Sequence, residues 1–370
     1  MFGIIHLSLF TFGPVVGKYL PIYGPRILYP AGFILDGLSF IVFGLLHWVE
    51  DTRTFLVLSY LIRIIEGVGA AATWNSNLSI LMAKFPEQKA SVKAWCDASF
   101  NLGLTLGPVL GAFMYEAGGF CLPFVVTGSA IIISGAAVYL VTDMPVIQSS
   151  DTGSRSVLSF LASPSISGAL LTATMAAYTI GTIEATLATF LGIIPGMTVR
   201  GVAMVFLIMS LSSVVATPLA GWVCDTRLSP WLVSAGGCLL MLLCFTLLGP
   251  APYLCSLLPL PTFTSVSLSL VAQGVGSAAV LVASFSCAQL SAVSPGLPAA
   301  ADTQAAIAGL FTSAFAAGNF FGPTVSGVLY DVVGFSYNSL IIQCLLALFL
   351  GLNIVFHILD KKRQSSQSDA

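Results

Sequence analysis

Five ionisable residues stand inside stretches of the chain that are otherwise apolar: Asp36, Arg63, Glu66, Asp97 and Glu184. A charge near the centre of a bilayer costs about 3 kcal/mol on insertion scales, so side chains of this kind face a protein interior or a water-filled path. Four acids stand against one base, an excess that suits a cationic cargo or a proton and disfavours an anion. Arg63 and Glu66 are three positions apart, on one face of a helix, and can pair. The pair is then either a structural ion pair or a site in which Glu66 binds substrate or proton. Asp36 stands ~14 Å into its apolar run, near mid-depth. Asp97 follows a basic flank and reads either as a proton or cation carrier or as an interfacial cap. Glu184, in the outer half of its run, either faces the interior or snorkels to the surface. Asn75, Asn77, Asn101 and Asn319 orient a ligand or join helices. Trp74 and Tyr178 stack on an ammonium group or serve as packing.

Enzyme chemistry finds no footing in the sequence. His6, His47 and His357 are too far apart for a metal pair at helical spacing, and no HExxH, CxxC or phosphate-cradling loop occurs. The eight cysteines are scattered singly through apolar segments, as small buried residues are. A net charge of −2 leaves no nucleic-acid footprint. Neither cofactor nor metal is expected.

The elements that must position the charges are membrane spans. With 57% hydrophobic residues, 8% charged and a mean hydropathy of +0.97, the chain has too much apolar surface for a soluble core of its size. Runs of about 20 apolar residues or more, enough to cross a bilayer, fall at 1–19, 27–47, 55–82, 91–116, 120–142, 166–192, 198–222, 230–249, 262–290, 304–330 and 335–358. Their length and the lack of a period-2 polar face predict helices, so the fold class is an all-α polytopic membrane protein with eleven spans, its partner the lipid bilayer.

The chain repeats itself. "LGPVLGAFMYEAGGF" at 106–120 aligns with "FGPTVSGVLYDVVGF" at 321–335 at a constant offset of 215, pairing Gly103 with Gly318, Gly107 with Gly322, Pro108 with Pro323 and Gly119 with Gly334. Pro14 and Gly17 echo Pro218 and Gly221, and "EGVGAAA" from Glu66 echoes "QGVGSAA" from Gln273. Two related halves follow: a bundle of five spans over 1–142, a Ser-, Pro- and Asp-rich linker over 143–165, a bundle of six spans over 166–358 and a polar tail over 359–370, read as disordered. Because Pro14 and Gly17 pair with the second span of the C-terminal half, the N-terminal half is expected to lack its first span. Basic residues gather on one side of the spans, at Lys18, Arg26, Lys84, Lys89, Lys93, Arg155, Arg227 and Lys361 to Arg363, against Arg53 and Arg200 on the other. That bias predicts a cytoplasmic C-terminus.

Gly103, Gly107 and Gly111 recur every four residues, clearing one helix face for a neighbouring backbone, and Pro108 bends the helix. With "GKYLPIYGPR" at 17–26 and "RIIEGVGAA" at 63–71, this glycine run resembles the major facilitator superfamily. Within it, the likeness is to the vesicular amine transporters, in particular the vesicular polyamine transporter-like branch, and extends from residue 1 to about residue 360. The resemblance implies the major facilitator fold, two pseudo-symmetric bundles working by alternating access. It makes the glycine run the antiporter motif, here with Ala112 in place of a second glycine. It also implies gating loops, of which the first copy keeps Gly17, Gly24 and Arg26 but has Pro21 and Ile22 at the acid and base positions. The second copy keeps Gly221, Asp225 and Arg227, so that an acid can meet a base or a helix end. The implied function is proton-coupled antiport of an organic cation, an amine or polyamine, in a vesicular, endomembrane or plasma membrane. Two alternatives stand beside it: a facilitator or drug-type exporter of neutral or lipophilic solutes, and a truncated product that does not transport. The oligomeric state is left open.

Overall fold

The computed structural model describes residues 2–141, 157–192, 199–249, 262–292 and 301–368. Ten long helices follow in order among them: α1 (Phe2–Tyr23), α2 (Pro25–Leu45), α3 (Thr52–Lys84), α4 (Lys89–Gly118), α5 (Cys121–Val141), α6 (Pro164–Gly192), α7 (Val199–Thr226), α8 (Pro230–Leu248), α9 (Phe263–Ala292) and α10 (Ala301–Ser368). No strand occurs among the described residues. The apolar part of α10, Ala306–Lys361, is 56 residues long, about 84 Å if straight and far more than one bilayer. Gly334 breaks it, with φ 79° and ψ 172°, so α10 holds two spans. Nine described helices are long and apolar enough to cross a membrane. Counting α10 twice and adding α4, whose 30 residues include Lys89, Lys93, Asp97 and Glu116, gives the eleven expected spans.

Local chemistry sets the breaks. Gly24 adopts φ 75°, in the left-handed region, and Pro25 opens α2 at a position that needs no amide donor. Asp51 caps α3 by accepting from the Thr54 amide at 2.8 Å and the Thr54 hydroxyl at 2.6 Å. Gly119 and Gly334, the paired glycines near the end of the two repeated phrases, both turn the chain with positive φ, 72° and 79°.

The chain falls into two compact units, one of Met1–Pro86, Leu106–Ser163 and Ala292–Phe320, the other of Glu87–Thr105, Pro164–Ser291 and Phe321–Ala370. The division runs through α4 and α10. In the first unit Gly32 of α2 lies against Gly69 and Thr73 of α3, Gly37 of α2 against Gly128 of α5, Gly67 of α3 against Ser8 of α1, and Gly13 of α1 against Gly309 and Ser313 of α10. In the second, Gly237 of α8 lies against Gly276 of α9, Gly274 of α9 against Ser212 and Ser213 of α7, and Gly322 and Pro323 of α10 against Tyr178 and Gly181 of α6. Glycine at each crossing lets backbones approach, which is how helices associate where no hydrophobic gradient separates protein from lipid. The crossings correspond between units: Gly32/Gly69 to Gly237/Gly276, and Ser8/Gly67 to Ser212/Gly274. The second unit also holds an apolar core around Ile183, Leu187, Met241, Phe245 and Leu270.

Residues 142–156, most of the expected linker, lie outside the described residues, and Val157–Ala162 forms a 3-10 turn just ahead of α6. The tail departs from expectation. α10 stays helical through Ser368, because Lys361, Lys362, Arg363 and Gln364 are good helix formers and no glycine or proline interrupts them.

Candidate functional site

α3 builds the first charged cluster. Its sequence "RIIEGVGAA" places Arg63 and Glu66 one turn apart, while Gly67 and Gly69 let α1 and α2 close on either side. The Arg63 Nη1 donates to both oxygens of Glu66, at 2.9 and 2.7 Å, and the residues are 8% and 4% exposed. The guanidinium carbon stands 4.0 Å from the centre of the Phe43 ring and 6.0 Å from that of Phe40, both on α2. Stacking and pairing together offset part of the cost of burying the charge. Asp36, one turn ahead of Phe40, interacts electrostatically with both Arg63 and Glu66. Its backbone nitrogen would be 2.9 Å from a Cβ at Gly69, so that glycine is what admits the Asp36 turn to α3. Asp36 is half-buried and has no ion-pair partner among the described residues. Two carboxylates thus lie in the field of one guanidinium, which is bonded to Glu66, and the cluster carries one negative charge more than positive when its groups are ionised.

The second cluster was only half legible. Asp97 was expected alone, with Lys93 counted in the cytoplasmic flank. Lys93 is instead 2% exposed and is paired through its ammonium with both oxygens of Asp97, one turn on. Phe285 of α9 lies 5.6 Å away. The four-residue spacing carried the signal. Because Lys93 neutralises Asp97, the buried acid excess shrinks to the Asp36 cluster. Glu184 adds none: it is exposed on α6 and forms no ion pair among the described residues.

Within the polar second tier, Asn75 and Asn101 join helices. Asn75 donates to Gly13 O at 2.9 Å and accepts from the Thr312 hydroxyl at 2.7 Å, tying α3 to α1 and α10. Asn101 donates to the Ser213 hydroxyl at 3.3 Å, and Asn319 to Phe315 O one turn back. Asn77 has a partner as well. Trp74 stacks on Phe315 at 6.3 Å. Tyr178 accepts from Ser326 at 2.9 Å, and Ser326 and Thr182 bond at 2.7 Å, a hydroxyl chain that the sequence reading missed for want of any charged marker.

The loop residues divide. Asp225, at the end of α7, accepts from the amides of Ala90 and Ser91 at 3.1 and 2.7 Å. It thereby caps α4 from another helix, giving an acceptor to two of the amides that a helix start leaves unpaired and placing negative charge at the positive end of the dipole. Gly221, one turn earlier, makes this possible, since a Cβ there would lie 2.8 Å from Ala90 O and Ser91 Cα. Arg227 is exposed, its guanidinium 5.4 Å from the Trp222 ring. In the first copy Gly17 lies against Gly309, Gly24 makes the turn, and Arg26 is exposed.

The glycine run is a correction. A Cβ at Gly103, Gly107 or Gly111 would meet nothing within 4 Å among the described residues, so the close approach expected there is absent. The side chains of Pro108 and Ala112 lie outside the described residues. The second copy does make the contact, through Gly322 and Pro323.

Against this geometry the sequence profile of the Major Facilitator Superfamily matches residues 1–301. The chain belongs to the major facilitator superfamily. Among other proteins, this superfamily member is 31% identical over 379 residues to the MFS-type transporter SLC18B1 of Homo sapiens, a match covering 100% of this chain and 80% of the relative. The Mus musculus protein of the same name is 28% identical over 342 residues, covering 92% and 73%. The synaptic vesicular amine transporter of Homo sapiens is 24% identical over 140 residues, 36% of this chain and 26% of that one. As a major facilitator protein with long apolar helices, the chain is a multi-pass membrane protein.

Proposed function

We propose that this chain is a secondary transporter that exchanges an organic cation, an amine or polyamine, for protons by alternating access. One observation carries the reading: a buried Arg63 is committed to Glu66, while Asp36 beside it has no ion-pair partner among the described residues. A carboxylate so placed holds an ammonium when ionised and releases it when protonated, so one group serves two ions in turn. The Phe40 and Phe43 rings, which already face the guanidinium, supply the electron-rich surface that organic cations prefer. The names of the relatives, a transporter and a vesicular amine transporter, agree with a basic cargo and an endomembrane setting. In this reading residues 1–142 and 166–358 are the two moving halves, 143–165 links them in the cytoplasm and 359–370 lies on the same side.

The test is uptake of a labelled monoamine and a labelled polyamine into proteoliposomes with an acidic interior. Accumulation is expected to depend on the gradient and to fall tenfold or more in Asp36→Asn with the protein still folded. Exchange of amine for amine without a gradient should fall with it, because the same carboxylate binds the cargo. Equal uptake of a neutral solute, with Asp36→Asn accumulating amine like the parent, would overturn the proposal in favour of a neutral-solute facilitator.

A further inference from the structure

We infer that Asp97 and Phe285 form a seat for an alkylammonium ion, in the second unit and apart from the Asp36 cluster, and that Lys93 occupies it as the chain's own ammonium until a free amine displaces it. The fold does not require charge at this place. At the offset of 215, Lys93 and Asp97 of α4 align with Ala308 and Thr312 of α10. That copy is buried as deeply without an ion pair: Ala308 is 0% and Thr312 2% exposed, and the Thr312 hydroxyl donates to Asn75 Oδ1 at 2.7 Å. α9 differs at the same spot. The echo of "EGVGAAA" in "QGVGSAA" carries Asn75 to Val282 and Leu78 to Phe285. So one unit sets a hydroxyl against an amide, whereas the other brings in a carboxylate, an ammonium and an aromatic ring together.

A carboxylate and a ring face are what hold an organic cation. The Lys93 ammonium reaches both oxygens of Asp97 and stands 5.6 Å from the centre of the Phe285 ring. A buried pair of this kind stabilises a fold little more than apolar residues of the same volume would. What it does secure is that the carboxylate is never left bare. Arg63 of the first unit differs in kind, because its planar, forked guanidinium matches no alkylamine. Lys93 ends in the compact ammonium that an alkylamine also carries, on a flexible four-carbon stem that can swing aside without moving the helix.

The surroundings leave the acid the more approachable of the two. Small residues dominate the face on which α4 meets α7 and α9, with Ala90 and Ala94 packed with Ala220 and Val282. The Asp97 side chain keeps 13% of its surface exposed, against 2% for Lys93. A free ammonium can therefore meet the carboxylate before Lys93 leaves it, and one cation replaces another with no change in net charge.

Two measurements on the full chain in phosphatidylcholine nanodiscs test this. Neither uses a gradient or the Asp36 cluster, so failure here and failure of the proposed exchange are told apart. In the parent, Lys93 is acetylated with sulfosuccinimidyl acetate and followed by peptide mass spectrometry against the exposed Lys84 and Lys361. Its labelling is expected to rise about threefold with saturating N,N-dimethylpropylammonium, a tertiary amine that the reagent does not consume, and not with sodium chloride at equal concentration. Lys93→Ala removes three carbons and the ammonium, which n-propylammonium can put back. That ion should raise the melting temperature of the variant by about 4 °C, where propanol does not. The rise should vanish in Lys93→Ala with Asp97→Asn and shrink in Lys93→Ala with Phe285→Leu. Parent labelling that the tertiary amine leaves unchanged would overturn the inference even where n-propylammonium fills the truncated site, because the seat would then be a hole made by the substitution. A folded Lys93→Ala that n-propylammonium does not stabilise would overturn it as well. If that variant does not fold, the parent labelling decides alone.

Discussion

Arg63 and Glu66 show how a membrane protein keeps a charge that its solvent would reject. The two are buried, doubly hydrogen-bonded and backed by Phe43. Removing one partner leaves the other charged, desolvated and without its direct hydrogen bonds, which is worse than removing both. Glu66→Gln is therefore expected to destabilise the protein by about 3 kcal/mol, as such breakages do, and Arg63→Met combined with Glu66→Gln should recover much of the loss. Unfolding of the two variants in detergent would check this; a double variant no better than the single one would mean the pair contributes nothing as a pair. The pairing was legible from spacing alone. The Lys93–Asp97 pair has spacing as clear, yet Lys93 sits at the end of its span among other basic residues, where charge density says loop. What buries it is the surface of α9 around Phe285, a tertiary neighbour that no local pattern announces. The hydroxyl chain of Tyr178, Thr182 and Ser326 was hidden for a related reason: serine and threonine satisfy themselves on their own helix as often as on another.

Helices here begin and cross at positions that the residue types explain, and these positions allow sharp contrasts. Gly107→Ala adds a methyl in open space and gains helix propensity, so it should leave stability unchanged or raise it by about 0.5 kcal/mol. Gly322→Ala puts its methyl 2.6 Å from Tyr178 O and should lower stability, since backbone cannot yield as a side chain can. Equal effects in thermal unfolding would mean the two copies of the phrase are packed alike. Asp225→Ala strips two amides at the start of α4 of their acceptor and should cost about 1 kcal/mol, as lost caps do. Faster hydrogen exchange at Ala90 and Ser91 would report the loss locally. The Asp51 cap adds a pH dependence. Hydrogen bonds from Thr54 hold its carboxyl below the ordinary value of 3.8, so the folded form favours the carboxylate. Its contribution is present at neutral pH and is lost only as pH falls through that lowered value. The protection factor of the Thr54 amide, its slowing relative to the intrinsic rate at each pH, should accordingly stay constant from pH 7 to about 5 and fall only below the usual carboxylate range. A protection factor that already falls between pH 7 and about 5 would show that Asp51 does not hold the helix end.

At the scale of the molecule, the spans were readable because lipid imposes one rule on all of them: twenty or so apolar residues, with every backbone group satisfied within the helix. The compact units were not readable, because they are set by contacts rather than by chain order, and both α4 and α10 are shared between them. Orientation belongs to this scale too, and it rests on charge rather than on packing. With Lys93 withdrawn into the interior, the sequence still assigns Lys18, Arg26, Lys84, Lys89, Arg155, Arg227 and Lys361 to Arg363 to one side of the spans, against Arg53 and Arg200 on the other. The bias survives the correction, since only residues near the span ends count and nine remain against two. An epitope placed after Ala370 should then be removed by protease added to sealed microsomes, whose outer face is the cytoplasmic one, without detergent. An insertion beside Arg53, in the short stretch between α2 and α3, should be protected until the membrane is opened. Protection of the C-terminal epitope together with cleavage at the inserted site would invert the topology, and would put the acid-facing side of the proposed exchange on the opposite side of the membrane.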